Sequence, residues 1–147
     1  TVISAHIAGM YALVLGVGQL IDRLGRKSAL AGGLLLMALS NLGMVWFSSV
    51  AWLAVSLFGL GLGWNLSYVA AAADMADRTA PAERGRLSGF SDLCASLLAA
   101  AFALLVGLAY SGLGVEALAV ASTVAVVVPA LLIVFLRRTP EPLPAEA

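Results

Sequence analysis

Apolar residues in this chain come in long, nearly unbroken runs rather than in the alternating stripes of a half-buried strand. Five runs stand out, at about 2–21, 29–48, 51–74, 87–110 and 114–136, each parted from the next by a short stretch of charge or glycine. A helix that crosses the hydrocarbon of a bilayer needs roughly 20 apolar residues, so each run predicts one spanning helix. Only helices and closed barrels satisfy their own backbone groups in lipid. Barrel strands alternate with period two over about ten residues, and stretches such as Leu97–Gly107 are apolar on every face. The pattern therefore predicts an all-α integral membrane protein with five transmembrane helices within residues 1–138. A Pro-rich tail, 139–147, is expected to be disordered and cytoplasmic.

Composition sharpens this. The chain is 62% hydrophobic and 11% charged, too little charge to cover a water-soluble surface. Net charge is zero, but its placement is uneven. The basic residues Arg23, Arg26, Lys27, Arg78, Arg84, Arg86, Arg137 and Arg138 fall in the first loop, the third loop and the tail; the second and fourth loops have none. Basic residues resist translocation and stay on the cytoplasmic side. The N-terminus is thus expected outside and the C-terminus in the cytoplasm, as an odd number of spans requires. No secretory leader pattern is present, and a start at Thr1 inside or just before a helix suggests a fragment. The single Cys94 lies in the fourth run and reads as a small buried side chain.

The densest chemistry lies in the first loop, Gly18-Gln19-Leu20-Ile21-Asp22-Arg23-Leu24-Gly25-Arg26-Lys27. Gly18 would leave a notch for a neighbouring helix, and Gly25 suits a tight backbone reversal. Asp22, at the membrane boundary, can accept hydrogen bonds from the N-terminus of a partner helix. Arg23, Arg26 and Lys27 can pair with carboxylates or lipid phosphates. The bases alone would also suit a plain topological turn; an acid with glycines four before and three after it would not.

The spacing G-x-L-x-D-R-x-G-R-K resembles the loop between helices two and three of the Major Facilitator Superfamily, repeated between helices eight and nine. That resemblance implies that the loop holds one conformational state through contacts between two six-helix halves. Asp22 would bridge to the other half, with Arg23 and Arg26 completing the charge network. N-terminal halves of the family usually carry an arginine in the fourth helix, and the third run here, Trp52–Asp74, has none. Gly61-Leu62-Gly63-Trp64-Asn65, Pro81-Ala82-Glu83-Arg84-Gly85-Arg86 and Gly89-Phe90-Ser91-Asp92 are similar to helices ten and eleven of some bacterial members. The resemblance implies helices eight to twelve of a C-terminal half, in a bacterial inner membrane, with the N-terminal half as partner.

Several features admit two readings. Gly59, Gly61 and Gly63 lie in an apolar helix with no preceding strand and no following lysine, so helix packing is preferred to a nucleotide loop. The sequon Asn65-Leu66-Ser67 would be inside the bilayer and is rejected. Trp64, Asn65 and Tyr68 set aromatic and polar groups on a possible substrate path, or in an internal hydrogen-bonded contact. Asp92, about 9 Å further along a helix than Arg86, is either a proton-responsive or gating carboxylate or an anchor paired with Arg84 or Arg86. Asp74, Asp77, Arg84, Arg86 and Asp92 form a second charge cluster, either part of the gate or merely solvated. His6 sits near the outer end of the first span, where a packing or hydrogen-bonding role is expected, and no second histidine suggests a metal.

No nucleophile–base pair, phosphate loop, thiolate cluster or Glu-x-x-His spacing suggests an enzyme or a cofactor. No basic aromatic face suggests nucleic acid. The expected function is secondary transport of a small solute by alternating access. A non-transporting sensor or scaffold on the same fold is the alternative, and the fragment alone is expected to be inactive.

Overall fold

The computed structural model describes residues 2–46 and 49–135, and the regular structure among them is entirely helical: α1 (Val2–Tyr11), α2 (Val14–Leu24), α3 (Arg26–Trp46), α4 (Val50–Asp77) and α5 (Arg84–Phe135). Arg137, Arg138 and the tail 139–147 lie outside the described residues, as do 47–48 in the second loop and the last residue of the expected fifth run. Four segments are long and apolar enough to cross a membrane: Arg26–Val45, Val50–Asp77, Arg84–Tyr110 and Ala117–Phe135. The bent pair α1–α2 makes a fifth if counted as one span. The all-α membrane architecture read from the apolar runs is the one observed.

Three local differences matter. The first run is not one continuous helix but α1 and α2, meeting at a bend of 56°. The break precedes Gly16 and Gly18, the two poorest helix formers of the stretch. The first loop shrinks to a single residue, because α2 runs to Leu24 and α3 starts at Arg26. Gly25 between them takes φ 83° and donates its N–H to Ile21 O at 2.9 Å; only glycine adopts such a φ without a Cβ clash. The expected fourth loop, around Ser111–Glu116, also contracts: in α5 the one residue with non-helical geometry is Gly114, at φ 73°. We refer to Arg84–Tyr110 and Ala117–Phe135 as the first and second limbs of α5.

Helix α4 is the hub. It packs extensively against α3 and α1, while α5 rests mainly on α3 and barely meets α4. The hub is built from small residues. Gly61, Gly63, Ser56, Ser67 and Ala70 are all buried in it. A Cβ at Gly63 would lie 2.7 Å from Gly33 O, and one at Gly61 would overlap the backbone of α1 at His6. Glycines at i and i+2 thus serve opposite faces of α4, Gly63 toward α3 and Gly61 toward α1. In lipid there is little hydrophobic force between helices, so close backbone approach and interhelical bonds carry the association. His6 supplies one such bond, with Nδ1 at 3.0 Å from Leu57 O, the hydrogen-bonding role expected for it.

Gly18 behaves otherwise than expected. Nothing among the described residues lies within 4 Å of a Cβ placed there, so it forms no notch within this part of the bundle. The neighbouring Val17 and Ile21 carry the packing of α2 instead. They form a buried cluster with Ala29 and Ala70, capped by Leu62, Leu66 and Val69. Since Ile21 precedes Asp22, docking of this cluster on α4 also fixes where the charges of the turn sit.

Candidate gate and mid-depth groove

Two sites emerge, at different depths. The first is at the end of the bundle where the α2–α3 turn meets the end of α4. Arg26 Nη1 donates to Asp22 Oδ1 at 2.6 Å, and its Nε donates to Asp77 Oδ2 at 3.1 Å. One guanidinium thereby ties the turn to a residue 51 positions away. The bridge needs both a one-residue turn, which starts α3 at Arg26, and an α4 longer than the apolar run, which carries Asp77 on the helix to its end. The Asp22 side chain remains 68% exposed. Arg23 is exposed in the last turn of α2, where a cation suits the helix dipole, but makes no ion pair among the described residues. Lys27 is exposed.

The second charge cluster expected from sequence does not hold together as one group. Asp77 belongs to the Arg26 bridge. Asp74 accepts two bonds from Arg78, both at 2.9 Å, within the end of α4. Those bonds and the Asp74 charge hold the Arg78 guanidinium above its ordinary pKa. Arg86 Nη2 pairs with Glu83 at 3.2 Å, and Arg84 Nε donates to Thr79 O at 3.2 Å, closing the connection into α5. Neither arginine reaches Asp92, which corrects the anchoring alternative. The reason is helical phase: Arg86 and Asp92 are six residues apart, about 240° around the axis, whereas Glu83 is at the favourable three-residue spacing.

Asp92 belongs instead to the second site. Tyr68 Oη donates to Asp92 Oδ1 at 3.3 Å, joining α4 to the first limb of α5. Both border an open groove of about 640 Å³, with Met10, Tyr11, Trp64 and Asn65 also on its wall. Tyr68 is nine residues before Asp77, about 13 Å along the helix, close to half of the ~30 Å hydrocarbon thickness. Trp64 and Tyr68, one helical turn apart, are stacked with ring centroids 5.0 Å apart and planes 8° from parallel.

Asn65 is 2% exposed, and its Nδ2 finds no hydrogen-bond partner among the described residues. A buried donor left unpaired costs about 1–3 kcal/mol, and Asn65 carries that cost beside the groove it borders. Among the described residues lining the groove, Asp92 is the single charged one. The structure thus assembles Trp64, Asn65 and Tyr68, as grouped from sequence, and adds Asp92. It also adds Met10 and Tyr11 from α1, for which the sequence held no signal. Cys94 is a free, half-buried thiol, and no metal-binding cluster of three His, Cys, Asp or Glu occurs among the described residues.

The family model described as Major Facilitator Superfamily matches residues 1–147. The riboflavin transporter RfnT of Brucella anthropi is 35% identical over 101 residues, 64% of this chain and 25% of its own length. The uncharacterized MFS-type transporter YdeG of Bacillus subtilis is 35% identical over 113 residues, covering 76% of this chain and 26% of the relative. Another from Bacillus subtilis, YddS, is 34% identical over 109 residues, 73% and 25% of the respective lengths. The chain therefore spans about a quarter of the length of these curated relatives. No solved structure matches it significantly.

Proposed function

The chain belongs to the Major Facilitator Superfamily, and from that premise we propose that it serves in an integral membrane transporter that moves a small solute by alternating access. In this reading the five spans are helices eight to twelve of the C-terminal half. The N-terminal half is the partner, and the bacterial inner membrane is the setting, with the start of the chain outside and its end in the cytoplasm. No catalytic step is assigned. The absence of arginine within Val50–Asp77 and the basic residues at one end of the bundle support the assignment.

The observation that carries the mechanism is the Asp22–Arg26–Asp77 bridge. It is exposed, and exposed ion pairs contribute little to stability. That suits a latch which must break and re-form in each transport cycle without unfolding its helices. The hub of α4 with α1 and α3 is close-packed, so opening the bridge at its end leaves the helices associated, while the groove beside Trp64, Asn65 and Tyr68 lies at the depth where family transporters hold solute between their repeats. Asp22 keeps enough exposure to engage the other half, and Arg26 would release or hold the gate from within this one. Riboflavin, named in the Brucella anthropi relative, is the first solute to test.

The test neutralises Asp22 and Asp77 separately, as Asp22→Asn and Asp77→Asn, in the intact transporter. Solute flux in proteoliposomes and alkylation of single cysteines from each side are then measured. Loss of flux with increased cytoplasmic accessibility is expected. Unchanged flux and unchanged accessibility would remove the gating role, and absence of flux for every solute with the wild type would favour a sensor or scaffold.

A further inference from the structure

The groove at mid-depth has a composition that restricts what it can hold. Its wall combines three elements that are independent in the sequence. Trp64 and Tyr68 form a parallel stack on α4; Tyr68 is 48% exposed, so open ring surface remains beside it. Asn65, between them in sequence, borders the groove with an amide whose enclosed Nδ2 has no partner among the described residues. Asp92, from the first limb of α5, presents a carboxylate that accepts one hydrogen bond from Tyr68 and keeps further acceptor capacity. No basic residue lines the groove among those described. Its volume of about 640 Å³ lies within the range of small-molecule sites, roughly 300–1,000 Å³.

Resting on the transport reading above, we infer that the solute is a planar aromatic or heteroaromatic molecule, uncharged or cationic. Its ring lies against the Trp64–Tyr68 stack. The Asn65 amide turns toward the groove on binding, so that a ring carbonyl or ring nitrogen accepts from its Nδ2 and satisfies the unpaired donor. A ring N–H, amine or cationic centre faces Asp92. Each contact excludes something. An anion meets the Asp92 charge with no counter-charge on the wall. A solute with no ring forgoes the stack, and a pure hydrocarbon leaves both Asn65 and Asp92 without a polar match. Recognition that depends on an unpaired polar group discriminates sharply, because a solute lacking the matching atom leaves the Asn65 amide unsatisfied.

The experiment uses the intact protein, with binding read by quenching of protein fluorescence and flux read in proteoliposomes. The probes are riboflavin (planar, uncharged), ethidium (planar, cationic), fluorescein (planar, anionic) and sucrose (no aromatic ring). Riboflavin, ethidium or both are expected to bind and move, and fluorescein and sucrose neither. Trp64→Leu and Asn65→Ala are expected to weaken planar-probe binding about tenfold, the scale of one lost stacking or hydrogen-bonding partner. Trp64→Phe, which keeps a ring, retains most of the affinity and shows that the loss is not one of folding. Asp92→Asn weakens ethidium more than riboflavin.

Failure of both riboflavin and ethidium to bind overturns the inference. So does equal binding of fluorescein or sucrose, or planar-probe binding indifferent to all three positions. Flux of a ringless solute unaffected by Trp64→Leu would remove the aromatic assignment and leave the transport reading intact. Planar-probe binding without flux would keep the assignment and remove the transport reading.

Discussion

The charged end of the bundle and the groove at mid-depth are built from similar materials by opposite means. Each joins elements distant in sequence through a carboxylate, at Asp77 in one and Asp92 in the other. At the charged end the pairs are exposed and abundant, and most are local: Asp22–Arg26 and Asp74–Arg78 at four-residue spacing, Glu83–Arg86 at three. In the groove there is one carboxylate, one buried amide without a partner among the described residues and one aromatic stack. The difference teaches where sensitivity should lie. Redundant exposed charges can be lost singly without unfolding the bundle and act on the balance between conformations. Sparse polar groups at membrane depth are individually costly to keep, so altering one should change recognition outright.

The largest effect should come from the scaffold both sites share. Gly63→Leu forces a large side chain against Gly33 O and Met37 of α3. Overpacking of this kind costs typically about 1–3 kcal/mol or more, so loss of folded, monodisperse protein in detergent is expected. Gly18→Ala, where a Cβ meets nothing within 4 Å among the described residues, should leave the unfolding curve in place. Equal damage from the two would show that the α3–α4 contact is not what holds the groove open.

Next in size is Asp92→Asn, expected to cut binding of a cationic solute with little change in thermal unfolding. A smaller, conformational effect is expected of Arg26→Gln. Unfolding should barely shift, while cysteine accessibility from the two sides changes and flux falls. A large fall in thermal stability would instead make the Arg26 bridge structural and erase the contrast between the sites. The smallest effect belongs to Arg78→Ala, which removes a pair within one helix end. Both flux and unfolding should match the wild type, and a change in flux would extend the latch to Asp74.

Much of the charged end was legible because its geometry is local. Asp22 and Arg26 are four residues apart, and Gly25 between them announces the turn. The bridge to Asp77 was not legible, because the apolar run ends at Asp74 while the helix goes on one more turn, past the point where hydropathy stops marking it. Asp92 was placed with the arginines of the third loop on sequence proximity; its phase on α5 turns it from Arg86 and into the groove. The stretch Trp64–Tyr68 was recognisable as polar and aromatic residues at membrane depth. That Trp64, Asn65 and Tyr68 border a groove while Ser67 between them packs against α3 depends on where α1, α3 and α5 lie.

By itself the sequence determined the solvent, the all-helical class and the family. Each of these follows from runs of residues or from spacings along a single helix, where chain geometry leaves little choice. Tertiary structure decided which carboxylate meets which partner, which glycines admit a neighbouring backbone and which polar groups share a groove. Those depend on how helices many residues apart are rotated and bent against one another. In this chain that was set by one-residue breaks at Gly25 and Gly114 and by a hub helix with glycines on both faces.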